Sequence, residues 1–187
     1  MSQVFFTSDQ HFGHKNIIKF SNRPFASVEE MNEAIIQRWN EKVGEEDEVY
    51  NLGDVGLMSS GKLRSLLDRL NGKIYLIKGN HEKSAEACHS RFEWVKDYHE
   101  LIIADDEFER GEQLIVLFHY AIREWNAQHW GSYHLYGHSH GTLSDNPKSL
   151  SFDIGVDCHN FYPLSYQEVK AIMKTKQWEP PFKKENR

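Results

Sequence analysis

Apolar positions along the chain fall into short runs cut by polar words. Residues 3–7 (QVFFT), 48–52 (EVYNL) and 73–78 (KIYLIK) are brief and apolar or β-branched, as buried strands are. They stop at Ser8-Asp9, Gly53-Asp54 and Gly79-Asn80-His81. Between the first two runs, Met31, Ile35, Ile36, Trp39 and Val43 recur at helical spacing behind the capping box Ser27-Val28-Glu29-Glu30. That predicts a helix of about four turns ending at Gly44. Residues 62–70 predict a second helix, closed by Asn71-Gly72. The second half changes character. Residues 94–103 and 107–118 predict strands with Gly111 at a hairpin turn, followed by strands at 133–136 and 150–156. A second capping box, Ser165-Tyr166-Gln167-Glu168, opens a last helix to about Lys176, and the tail 179–187 (EPPFKKENR) reads as a loosely held end.

The order is β-α-β-α-β and then mostly β, with no repeat and no linker. The pattern predicts one mixed α/β domain over residues 1–187 with more than one sheet. Of the 187 residues, 39% are hydrophobic and 27% charged, which excludes a disordered chain. No run of 18 apolar residues spans a membrane, and the first residues do not form a secretory signal. Cys88 and Cys158 supply neither a disulfide framework nor zinc-finger pairs, so the expected location is the cytoplasm. The net charge of −6 argues against a broad phosphate-backbone surface.

Histidine changes the picture. There are 11, several within polar words at strand ends. Each word is weak by itself: Asp9-Gln10-His11 and Gly53-Asp54 read as turns, Gly79-Asn80-His81 as a positive-φ turn, and His119 as a core-edge histidine. Gly137-His138-Ser139-His140 is stronger, because two imidazoles two residues apart suit a metal. Five strand candidates end in such a word, and strand ends are where α/β sheets place ligand sites.

Taken in order, D-x-H, G-D, G-N-H, H and G-H-x-H resemble the calcineurin-like metallophosphoesterase superfamily, from Asp9 to His140. The resemblance implies a four-layer α/β/β/α sandwich of two mixed sheets with a dimetal site at the strand ends. It implies that Asp9, His11 and His140 bind one metal, that Asn80, His119 and His138 bind a second, and that Asp54 bridges both. His81 is then the general acid, oriented by Asp54. The implied activity is hydrolysis of phosphate mono- or diesters by in-line attack of a hydroxide shared by the metals. Two cations close together clamp the attacking and leaving oxygens, and a bridging carboxylate offsets their repulsion. Mixed N/O donors suit manganese first, with iron, zinc, nickel or cobalt as alternatives. The rival readings are a nuclease with the same site and a scaffold on the same fold. All seven ligand positions are intact, which disfavours the scaffold.

The word after Asp54 is Val-Gly-Leu-Met, not the Asp-Arg-Gly of protein phosphatases, so the resemblance is to compact bacterial or phage-type phosphoesterases. The expected partner is a small phosphate ester. Four rim residues are substrate-contact candidates: His14, Asn16, Arg23 and Arg123, the arginines for their bidentate grip on phosphate. Trp125, Trp130 and Tyr133 read as core or as stacking groups. Asp153 and Asp157 read as loop caps or as carboxylates that orient metal-bound histidines. Residues 56–63 (GLMSSGKL) nearly match a P-loop but put Leu63 where the magnesium hydroxyl belongs.

Overall fold

The computed structural model describes residues 2–180; most of the tail predicted to be loosely held, residues 181–187, lies outside them. Strands β1 (Val4–Thr7), β2 (Glu48–Asn51), β3 (Lys73–Ile77) and β4 (Trp94–Lys96) are parallel neighbours in one sheet. The second sheet holds β5 (Tyr98–Ala104), β6 (Glu112–Phe118), β7 (Tyr133–Tyr136) and β8 (Ser151–Asp153) in that order, antiparallel at β5–β6 and parallel thereafter. A short β9 (Leu164–Ser165) returns to the first sheet, antiparallel to β1. Helices α1 (Ile17–Phe20), α2 (Val28–Lys42), α3 (Ser60–Leu67), α4 (Lys83–Glu86) and α5 (Tyr166–Lys174) complete the regular elements. The mixed α/β class with two mixed sheets is the one the sequence predicts.

The period-two alternation of strand side chains explains the layering. Phe5, Val49, Ile74 and Leu76 join Met31, Ile35, Trp39, Leu63 and Leu67 in a core between the first sheet and α2 and α3. Their strand neighbours Phe6, Tyr50 and Ile77 point the other way, into a second core with Ile115, Leu117, Leu135 and Phe152 of the facing sheet. The first sheet is thus covered on both faces, which is why its strands read as continuous apolar runs rather than alternating ones. Each large side chain so buried contributes about 1.5–3 kcal/mol. Ser165 forms the predicted full capping box with Glu168, whereas at Ser27 only half of the predicted box forms: Ser27 Oγ accepts from Glu30 N, but the Glu30 carboxylate accepts from Ala26 N instead of Ser27 N.

One predicted strand is two. The run 94–103 breaks at Asp97, with β4 in the first sheet and β5 in the second. Asp97 is held there by Lys78 at 2.7 Å. The pair Lys96-Asp97 interrupts the apolar pattern at the crossing, but no Gly or Pro marks a turn there. The near P-loop is ordinary structure: Leu63 is fully buried in the helix–sheet core. No described helix is long and apolar enough to cross a membrane.

Helix α5 packs Tyr166, Val169 and Met173 into the intersheet core. It is tied to the β5–β6 turn through Asp105, whose Oδ2 accepts from Lys170 Nζ and from Tyr166 Oη, both at 2.7 Å. The ammonium holds the Asp105 carboxyl down at about 2. In the unfolded chain it titrates near ~3.9. The stability gained from the ionised form is therefore present above about pH 4 and lost as pH falls towards 2. Asp105→Asn is expected to cost about 2 kcal/mol at pH 7, because it takes from the buried Lys170 ammonium one of its two carboxylates and leaves only half-exposed Glu107. Denaturant unfolding should show this loss at pH 7 and a shallower decline in acid than in the wild type.

Candidate metal centre

The parallel strands deliver their carboxyl ends to one edge. Asp9 and His11 follow β1, Asp54 follows β2, and Asn80 and His81 follow β3. From the other sheet, His119 follows β6, and His138 and His140 follow β7. A bridge between Ser8 and Gly155, with Val156 N donating to Ser8 O at 3.0 Å, joins the two sheets there. Close approach needs glycine at two places. A Cβ on Gly53, whose φ is +99°, would strike the backbone nitrogen of Gly79, and one on Gly137 would strike Ser8 Oγ and Asp9 Oδ2. The backbone is strained where the chemistry lies. Nine described non-glycine residues have positive φ, and five of them are Asp9, His11, Asp54, His138 and His140. Such conformations cost roughly 1–3 kcal/mol each and persist only where the surroundings enforce them.

The structure gathers the predicted ligands into two groups. Asp9, His11 and His140 form one, and Asp54, His119 and His138 the other, each with its donor atoms within 4.8 Å of one another. Asn80 joins the second group, with Oδ1 3.2 Å from His119 Nε2. Asp54 stands between them: its Oδ2 lies 3.5 Å from His11 Nε2 and 3.8 Å from His119 Nε2. Its Oδ1 is taken by the main-chain N–H of His81 at 2.9 Å.

The donors are presented for a cation. Asp9 Oδ2 accepts from His138 N at 2.9 Å, while Asp9 Oδ1 is buried without a partner. His11 is buried and neither ring nitrogen has a hydrogen bond. His119 Nδ1–H donates to Leu52 O at 2.6 Å, and His140 Nδ1–H to Asp157 Oδ2 at 2.6 Å, so each leaves Nε2 as the free donor. Burial pushes the Asp9 carboxyl up to about 7. Burial, with His140 and Arg23 nearby, pushes His11 down to about 2. Burial also lowers His119, against the pull of its bond to Leu52 O and of Asp54. On His140 burial opposes the charge, but the bond to Asp157 and the Asp9 carboxyl outweigh it and raise its pKa. A buried carboxyl and a neutral imidazole with orphaned atoms fit a divalent ion, which restores the ionised carboxylate and uses the imidazole lone pair.

His81 is exposed at the rim with its ring 5.9 Å from that of His11; its contact with Asp54 runs through the main chain. His14 lies beside the first group, its ring 5.4 Å from His11. Asn16 caps α1 with an exposed side chain that makes no cap bond. Arg123 is exposed on a segment without helix, so the turn that would aim it at the site is missing.

Arg23 corrects the sequence expectation. Its side chain is fully buried, and its donors go to Asp9 O (2.7 Å), Gln10 O (2.8 Å), Met31 Sδ (3.3 Å) and both oxygens of Asp157 (2.8 Å each). No N–H is left for a substrate. Arg23 braces the loop after β1 and holds Asp157 against His140. Asp153 caps a loop instead, accepting from Gly155 N and Gly141 N. Tyr133 is core, Trp125 Nε1 donates to Ser132 Oγ at 3.0 Å, and Trp130 is exposed under Arg110.

Two supporting residues escape sequence reasoning. Gln10 is buried, linking Thr7 Oγ1 and Asn51 Nδ2 at 2.9 Å each. Glu82 is buried behind Asp54 and accepts from the main-chain nitrogens of Asp54 and Gly79. Its signal was present: an acid directly after Gly79-Asn80-His81 can cap that loop.

Two mixed sheets bring the five polar words to one shared edge, the arrangement that the resemblance to the calcineurin-like metallophosphoesterases implies. The chain belongs to one family with the uncharacterized protein MJ1445 of Methanocaldococcus jannaschii, at 36% identity over 184 residues that cover 94% of each. It is 30% identical over 202 residues to the gene 66 protein of Mycobacterium phage D29, covering 92% of this chain and 96% of that one. The fold is that of a protein of unknown function, AQ665 of Aquifex aeolicus, with TM-score 0.68 at 20% identity over 92% of this chain and all of that one (100%). No protein-family model matches the chain.

Proposed function

We propose that the chain is a phosphoric ester hydrolase that uses two divalent ions on phosphate mono- or diesters of small-molecule or nucleotide type. The observation that carries the reading is Asp54 Oδ2 set between the two donor groups, 3.5 and 3.8 Å from the facing imidazole nitrogens. When bound, the ions would supply Lewis-acid stabilisation of phosphoryl charge and an acidified water at neutral pH. Asp9, His11 and His140 would hold one ion, Asn80, His119 and His138 the other, and Asp54 both. Manganese leads among the metals that N/O donors suit.

The protein's own residues do the rest. The glycines at the edge let the two donor groups approach. Asp157 and Leu52 O fix the tautomers of His140 and His119. His81 stands exposed at the rim, its main chain fixed by Asp54, and donates the proton that a leaving alkoxide needs.

The test is hydrolysis of paired chromogenic mono- and diesters by metal-depleted protein, before and after Mn²⁺. Turnover that appears only with metal supports the reading; a loaded protein inert on both classes overturns it. His81→Ala is expected to lower kcat by about 10²–10⁴-fold while metal content stays that of the wild type. Loss of metal in that variant would make His81 a ligand rather than an acid.

A further inference from the structure

On the Asn80 side the second donor group opens into a cleft of about 510 Å³. Its walls differ in kind. Phe118 and Tyr120 give it an aromatic lining, Lys78, Lys83, Glu86 and Asp97 a charged one, and Asn80 of the second donor group lines it too. Tyr120 is 39% exposed, and its ring lies 4.7 Å from that of His138 and 4.9 Å from that of His119. Its neighbours meet it edge-on or tilted, never as a parallel stack. Phe118 lies 5.6 Å from Tyr120, and half-exposed Tyr98 extends the row at 6.4 Å from Phe118.

We propose that this cleft seats the nucleobase of a nucleotide-type phosphate ester, stacked along Tyr120 and Phe118 with its phosphate at the metal centre. The proposal rests on the hydrolase reading and names its substrate class. Volume, walls and position each support it. The cleft falls in the range of ~300–1,000 Å³ that small-molecule sites occupy. An acyl chain would cover the Lys78–Asp97 ion pair and gain nothing from it. A planar heterocycle instead offers ring faces to the aromatic wall and donors and acceptors at its edge to the polar one. Position gives the third support: Tyr120 directly follows the donor His119 and touches His138, so a group on that ring is one sugar away from a phosphate between the donor groups. The aromatic trio named from sequence lies elsewhere; the stacking wall is Phe118 and Tyr120, the residues flanking His119.

The decisive measurement is equilibrium binding, to Mn²⁺-loaded protein carrying His81→Ala so that turnover is slowed, of two phosphates that differ only by the base, adenosine 5′-monophosphate and ribose 5-phosphate. The nucleotide is expected to bind about tenfold tighter or more, as one stacked base would give. Tyr120→Leu should erase that ratio, and Tyr120→Phe should keep it. A 5′-phosphorylated oligoadenylate distinguishes the sources of the base. If it binds no tighter than the mononucleotide, the ligand is a small nucleotide; if it binds tighter and weakens steeply with salt, the base belongs to a nucleic acid. Equal affinity for the two phosphates, or a Tyr120→Leu variant that weakens both alike, overturns the subsite. Metal-dependent turnover of the chromogenic esters would still stand in that case. Failure of both phosphates to bind, with no turnover, would overturn the hydrolase reading as well.

Discussion

Asp54→Ala is expected to lower phosphoesterase activity by more than about 100-fold and to reduce the metal content of the purified protein. Loss of a residue that merely orients a ligand costs 10–100-fold in metal affinity or activity, and Asp54 is placed to be shared by both donor groups. Its Oδ2 lies 3.5 Å from His11 Nε2 of one group and 3.8 Å from His119 Nε2 of the other, and its Oδ1 fixes the His81 main chain. Without Asp54, two bound cations would lack the carboxylate that offsets their repulsion. Alanine is also strained at this position, where φ is +54°. Asp54→Asn separates the effects: it keeps the shape and tolerates positive φ but lacks the charge. Metal analysis beside kcat/KM on both variants reads the outcome. Full metal content with wild-type turnover would remove Asp54 from the centre.

Arg23→Ala is expected to cost about 3–5 kcal/mol of stability, because it leaves the Asp157 carboxylate unpaired and the carbonyls of Asp9 and Gln10 short of donors. For a domain of this size that is a fall in Tm of roughly 6–20 °C. A second effect should follow at the first donor group. Asp157 holds His140 Nδ1 at 2.6 Å, and Arg23 holds Asp157, so metal affinity there should fall about 10–100-fold. Arg23→Lys should not rescue either loss, since an ammonium cannot reproduce the planar fork that reaches four partners at once. Thermal unfolding under chelation, then metal titration, measures both effects. A variant with unchanged Tm and a raised KM would return Arg23 to the substrate.

Arg23 also shows where sequence reasoning stops. The residue type and its distance from Asp9 suit a phosphate contact as well as a brace. Its partner Asp157 lies 134 positions away, and nothing local announces the pairing. The same holds for the split at Asp97, where two charged residues without Gly or Pro do not announce a change of sheet. Glu82 is different, because its place directly after Asn80-His81 was readable as a loop cap.

The polar words at the strand ends were legible because runs that stop at Gly, Asp and Asn mark those ends locally; their reading as one ligand set came from the family resemblance. The capped helices α2 and α5 were legible locally as well: a cap and an apolar period lie within one segment. Which carboxylate oxygen is free, which histidine nitrogen is fixed, and that Tyr120 and Phe118 rather than the tryptophans line a cleft beside the site were decided only by the tertiary structure. Each depends on where two sheets meet, and that meeting joins side chains more than a hundred residues apart in the chain.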